Sequence, residues 1–439
     1  MSDSTIPQRN AHRADAGDLP ISGQVDDALN SLDRVMCGFV TLNDIPGAAM
    51  AVTKCGRLVY ARGFGFADVE NQEPVKPQTL FRIASVSKPI TAVAVLQLVE
   101  RGKLSLTDHP FDLLTLAPHL EEGASVDPRL KDITIHQLLQ HTAGWDRDIA
   151  GDPMVNSMPV ATALGIEPPA MPEHIIRYMM GKPLDFAPGM RDAYSNFGYC
   201  LLGRLIEKAS GHSYEDYVRA EVLAPLGIAD MRIGKTLREG KLANETCYYD
   251  AFNRMAPAVM GKQIGEPVPA PYGEWCLEAM DAHGGWVASA VDLVRFASAF
   301  DSPEQCKILS ARSVATMFDR PPGNAGYEAS GTPKEAYYAC GWHVRPVTDA
   351  GKANTWHGGA LNGSAAYLVR RFDYMDWAVV FNTMEAPHGE ALGSLFDFYG
   401  QNAINKVDQW PEIDLFDTEQ RGLDPNSEQA SLNSGGRAS

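Results

Sequence analysis

The strand-like text of this chain is split between its two ends, and that split constrains the fold more than any other feature. Residues 48–68, AAMAVTKCGRLVYARGFGFAD, read as two extended runs around a Cys55-Gly56 turn, a β-hairpin. Comparable text returns only in ACGWHVRPV (339–347), NTWHGG (354–359), SAAYLVRRF (364–372) and DWAVVFNTM (376–384), with turns at Asp349-Ala350-Gly351 and Asp373-Tyr374. A two-stranded hairpin is marginal in water, so the two sets are expected to share one antiparallel sheet.

Helical spacing surrounds and separates these strands. It occurs over 23–40 (Val25, Ala28, Leu29, Leu32, Val35, Met36), from Pro89 to about Gly102, and near 389–406. From about 105 to 289 the text is rich in Pro, Gly and Met, with helical stretches such as ITIHQLLQH, EHIIRYMM and YCLLGRLIEKASG. The expected fold class is therefore α/β (α+β). Residues 20–104 and 290–408 form an antiparallel sheet domain flanked by helices, 105–289 a mostly helical domain inserted in the chain, and 409–439 a disordered tail.

Bulk properties exclude several function classes. Lys and Arg total 38 against 55 Asp and Glu, a formal charge of −17, which repels phosphate backbones and anionic membranes; no nucleic-acid or membrane partner is expected. The seven cysteines are scattered without CxxC spacing, so neither a disulfide framework nor a zinc cluster is indicated, and a reducing compartment fits. The first residues, MSDSTIPQRNAHRADAG, lack the apolar stretch of a secretion signal. The expectation is a cytoplasmic protein needing no cofactor and no metal.

Three short stretches can carry chemistry. FRIASVSKPITA places Ser85 where an extended run ends and a helix begins, with Lys88 one turn on and on the same face. A serine there is also an ordinary helix cap; as a nucleophile it needs a base, and a lysine made neutral by burial can serve. In DAYSNFGYCLLGRL, Tyr194 and Asn196 precede a helix, where taken alone capping and packing are the better explanation; the functional alternative is proton shuttling by the phenol and carbonyl binding by the amide. In TWHGGALNGSAAYLV, the pair Gly358-Gly359 inside a strand marks a bulge or a close approach to the backbone. His357 is either a satisfied core histidine or a hydrogen-bonding group at the wall of a site, with the Ala360 N–H aimed at an oxyanion. His136 and His141, five residues apart, do not share a helical face and are read as structural. No G-x-S-x-G, P-loop, G-x-G-x-x-G or H-E-x-x-H pattern is present.

In this order and at these separations the three stretches resemble the penicillin-recognising serine hydrolases, the β-lactamase/transpeptidase-like superfamily. The likeness leans to class C β-lactamases, family VIII carboxylesterases, and the DD-peptidases and D-aminopeptidases with a His-x-Gly third motif. LFRIASVSKPITAVAVLQLVERGKLSLTD, ITIHQLLQHTAGW, GGWVASAVDLVRFASAF and HGGALNGSAAYL extend it over roughly residues 40–400. The resemblance implies Ser85 as acylated nucleophile, Lys88 as its activating partner, Tyr194 as general base and acid, and Asn196 as a substrate contact. It also implies an oxyanion hole from the N–H groups of Ser85 and Ala360. His357 stands where β-lactamases carry the Lys of Lys-Thr-Gly, a weaker and switchable anion anchor, with Trp356 as pocket wall.

The expected activity is that of a carboxylesterase or amidase on small molecules. The alternatives are a D-stereospecific peptidase or amidase, a DD-peptidase, an acyltransferase, a weak β-lactamase, and a non-catalytic binding module on the same scaffold. The helical insertion is expected to set the substrate, with Trp145, Asp146, Arg147 and the Met-rich text around 154–180 either lining the cleft or, equally well, serving structure alone.

Overall fold

The computed structural model describes residues 19–24, 26–347 and 352–417. The expected turn at Asp349-Ala350-Gly351, Val25 of the first helical pattern, and 418–439 of the expected tail lie outside the described residues.

Both ends of the chain meet in one sheet. Its strands run in the order Ile21–Ser22, Arg57–Asp68, Gly47–Lys54, Met375–Phe381, Ser364–Arg370, Ala353–Leu361, His343–Pro346 and Tyr337–Tyr338, each antiparallel to its neighbours. The seam between the two ends is the pairing of Val52 with Trp377 and Ala51 with Ala378. The Cys55-Gly56 turn has positive φ at both residues (51° and 75°), the geometry that twists correctly into a two-residue hairpin.

Strand alternation sorts side chains by size. Ala49, Ala51, Ala366 and Ala378 face a core shared with the helices Ser87–Glu100 and Ala290–Ser298, while Met50, Val52, Tyr367, Trp377 and Phe381 face the helices Asn30–Leu42 and Leu392–Asn405. Small residues let the inner helices approach the sheet closely; the aromatic face fills the gap under the outer ones. The Ser87–Glu100 helix is buried on every side from Ser87 to Leu98. That explains its apolar run ITAVAVLQL, since a helix enclosed all round needs no polar face.

The middle of the chain is less uniformly helical than expected. Helices Pro172–Met179 and Asn196–Ser210 carry the predicted pattern, with Gly211 closing the latter in the left-handed region (φ 76°). Beyond about residue 227 the Pro- and Gly-rich text gives loops and short strands instead, among them Arg232–Ile233, Met255–Pro257 and Trp286–Ala288. Trp286–Ala288 pairs with Phe81–Arg82, directly before Ser85, so the segment 105–289 contributes backbone to the candidate site. The tail expected from residue 409 is also corrected: Asp414 accepts the Leu58 N–H at 3.1 Å, and Phe416 is buried against the core with the Arg295 guanidinium 3.7 Å from its ring centroid. All seven cysteines are free. Among the described residues no helix is long and apolar enough to cross a membrane.

Candidate active site

Ser85 sits in a single 3-10 turn, Ala84–Val86, between strand Phe81–Arg82 and helix Ser87–Glu100. From Thr79 to Leu98 every residue is buried except Ser85, which is half-exposed. The turn is strained: Ala84 has φ of 46°, a region that costs a non-glycine residue about 1 kcal/mol or more. It is held by the Ile83 N–H to the Trp286 carbonyl (3.0 Å) and by the Ser87 hydroxyl, which donates to the Ala84 carbonyl at 2.6 Å. Gly359 explains the third motif. A β-carbon there would lie 2.1 Å from the Ile83 carbonyl oxygen and 3.1 Å from the Ser85 nitrogen, so only glycine lets this strand lie against the turn.

Lys88 is fully buried, and its Nζ has three partners: Asn196 Oδ1 at 2.7 Å, the His283 carbonyl at 2.9 Å and Ser85 Oγ at 3.0 Å. Burial drives its ammonium well below the ordinary lysine range; the Asp152 charge opposes this and Arg147 reinforces it. Tyr194 stacks its ring 4.7 Å from the same Nζ, and its phenol interacts with Ser85. Burial holds that phenol protonated above its usual range, against the pull of Ser85 and Arg147. Ser195 caps helix Asn196–Ser210 by accepting the Gly198 N–H at 3.2 Å, which leaves Tyr194 and Asn196 to face Lys88. His141, itself at φ of 57°, accepts the Ser195 N–H through Nδ1 and packs on the Tyr194 ring at 4.4 Å.

Two expectations are corrected. His357 is 2% exposed, its Nδ1 donates to the Gly358 carbonyl (2.7 Å) and its Nε2 accepts from the Tyr338 hydroxyl (3.0 Å). Burial holds the imidazole neutral, with neighbouring His343 and Lys88 adding to the effect. With both nitrogens engaged it offers none to a substrate, so it is not a switchable anion anchor. Trp356 stacks on His343 (centroids 5.3 Å apart) and packs with the core of the terminal helices, so it is not a pocket wall. Ala360 is exposed next to Gly359, and strand His343–Pro346 ends opposite Trp356, leaving residues 357–361 with one open edge.

A cavity of about 400 Å³ adjoins Asn196 in the inserted segment. Trp145, Asp146 and Arg147 line it, together with Asp152, Met179 and Phe197, whereas Ser85, Lys88 and Tyr194 do not. The Arg147 guanidinium lies 4.6 Å from the Tyr194 ring centroid. Sequence reasoning missed Asp152, Tyr338 and the His283 carbonyl. Asp152 stands in a loop without periodicity, and a backbone carbonyl has no sequence signature. A separate group, Asp68, Glu70 and Cys247, brings potential metal ligands together, but Arg238 already pairs Glu70 at 2.8 Å.

A split antiparallel sheet with a buried Ser-x-x-Lys turn against its edge is the β-lactamase/transpeptidase-like fold. The comparisons agree. The β-lactamase family profile matches residues 32–394, and the chain belongs to that family. It is 36% identical over 204 residues to the esterase EstB of Burkholderia gladioli, covering 45% of this chain and 50% of that protein. Among solved structures, the octameric penicillin-binding protein homologue from Pyrococcus abyssi is similar at 26% identity and TM-score 0.62, over 84% of this chain and 77% of that one. The D-amino acid amidase from Ochrobactrum anthropi SV3, at 20% identity and TM-score 0.64, covers 88% of this chain and 100% of its own and shares the fold. The chain spans about half or less of the length of the first curated relatives it matches.

Proposed function

We propose that this protein is a serine hydrolase that forms an acyl-enzyme on Ser85 and acts on small esters, with small amides as the slower class. The observation that carries the reading is the valence of Lys88. A neutral amine has two hydrogens and one lone pair; Asn196 Oδ1 and the His283 carbonyl are acceptors and take both hydrogens. The lone pair is left facing Ser85 Oγ, 3.0 Å away, positioned to receive its proton.

Ser85 Oγ attacks the substrate carbonyl as its proton passes to Lys88, and the negative charge on the carbonyl oxygen is met by the N–H groups of Ser85 and Ala360. Tyr194, kept as a neutral phenol, gives its proton to the leaving oxygen or nitrogen and regains one from Lys88. Water, deprotonated along the same path, then releases the acid. The similarity to an esterase supports the ester preference. The buried, neutral His357 in the place of a β-lactamase lysine argues against efficient β-lactam turnover.

The test is labelling by a fluorophosphonate, followed by rates on short nitrophenyl esters, D-amino-acid amides and a chromogenic cephalosporin. Ser85→Ala is expected to abolish labelling, and Lys88→Ala to slow acylation about 10²- to 10⁴-fold. The rate of the parent protein should rise with pH through one ionisation well below the ordinary lysine value, because Lys88 acts only when neutral. Absence of labelling in the parent protein would favour a binding module. Cephalosporin turnover above that of esters would overturn the substrate assignment.

A further inference from the structure

The valence argument for Lys88 requires the Asn196 carboxamide to present its oxygen, and not its NH₂ group, to the amine. An asparagine amide can do either, so something must choose. Asn196 Nδ2 donates to Asp152 Oδ2 at 2.5 Å, and an ionised carboxylate only accepts. Asp152 is itself fixed: its Oδ1 accepts the Met154 N–H at 3.0 Å and its main-chain carbonyl accepts Asn156 Nδ2 at 2.9 Å. No Lys or Arg nitrogen among the described residues lies within ion-pair distance of it, so Asn196 is its side-chain partner.

We propose that Asp152 is a positioning residue for the acylation step: it locks Asn196 with Oδ1 toward Lys88 and so aims the lone pair of the amine at Ser85. This inference rests on the function proposed above. Asp152 has no hydrogen bond to Ser85 or Lys88, and it positions the amine through Asn196. Its charge has a second effect, since an anion near Lys88 favours the ammonium form and holds back the base at low pH. The other titratable or charged groups facing Lys88 are Arg147, Tyr194, Tyr199, His141, His283 and His357; burial keeps the three imidazoles neutral and both phenols protonated.

The experiment follows fluorophosphonate labelling of the full chain against pH, with KM and kcat on a nitrophenyl ester, in Asp152→Ala, Asp152→Asn, Asn196→Ala and the double alanine variant. Asp152→Ala is expected to slow labelling about 10- to 100-fold at its plateau, the range lost when an outer-shell partner is removed. KM should stay near the parent value and the acid limb should move to lower pH. Asp152→Asn keeps an acceptor for Asn196 without the charge, so it should recover much of the plateau rate while retaining the shifted limb. In the Asn196→Ala background the Asp152 substitution should cost nothing further in the plateau rate, while still moving the acid limb. Labelling of Asp152→Ala at the parent rate with an unmoved limb would overturn the inference, as would an equal slowing in both backgrounds. Should Asp152→Ala melt early, the limb shift and recovery in Asp152→Asn decide alone. Failure of the parent itself to label sinks the proposed function, a result distinct from a labelled parent indifferent to Asp152.

Discussion

Gly359 shows how one residue controls the candidate site without chemistry of its own. The atom its side chain would strike is the backbone oxygen of Ile83, which cannot swing aside, so Gly359→Ala must push the Ser85 turn outward. A displacement near 1 Å at the reacting group costs about 100-fold in rate. Gly359→Ala is therefore expected to lose about 100-fold in fluorophosphonate labelling and about 1–3 kcal/mol of stability by denaturant unfolding; parent-like labelling would show that the turn accommodates the methyl. Ser85 and Lys88 were legible because they lie one helical turn apart in the sequence. Tyr194 became legible through the order of the three motifs. Asp152 and Tyr338 were not, since each acts on a partner it meets only through folding: Asp152 on Asn196, 44 residues away, and Tyr338 on His357 across a strand edge. Of the two readings of His357 the core one stands, because the Gly358 carbonyl fixes the proton on Nδ1 and Tyr338, brought up only by folding, occupies Nε2.

At the scale of elements, strand alternation was readable from hydrophobic pattern, but strand Met375–Phe381 hides an exception. Asp376 is fully buried within it, accepts the Thr53 hydroxyl at 3.1 Å, and stands beside Asp301, which pairs with Arg370 at 3.2 Å. Burial and the Asp301 charge keep Asp376 protonated far above the usual carboxylate range, while burial lifts Asp301 to about 6. Because the folded chain holds these protons more tightly than the unfolded chain, the pair stabilises at acid pH and loses that contribution as pH rises through 6 and beyond. The melting temperature should fall between pH 5 and pH 8 in the parent protein and fall less in Asp376→Asn, which needs no proton. Equal pH dependence in the two would remove the pair from the account. Within the 105–289 segment, expected to be mostly helical, residues 227–289 carry little regular helix, since their prolines favour short strands and turns.

For the whole molecule, the described end of the chain is part of the structure. Phe416 lies 8% exposed in the inner core under Arg295, so Phe416→Ala is expected to cost about 2–4 kcal/mol by denaturant unfolding; a cost near zero would place residues 409–417 outside the cooperative unit. Local order was written in the chain: hairpin turns, helix spans, and the one-turn spacing of Ser85 and Lys88 follow from backbone geometry and side-chain period, which act over a few residues. The state of Lys88 was not. A lysine becomes a base only when distant segments remove water from it and supply the acceptors that use up its hydrogens. Here those segments are the loop carrying Asp152, the helix opening at Asn196 and the carbonyl of His283, which sequence separation keeps apart and folding alone brings within hydrogen-bonding reach.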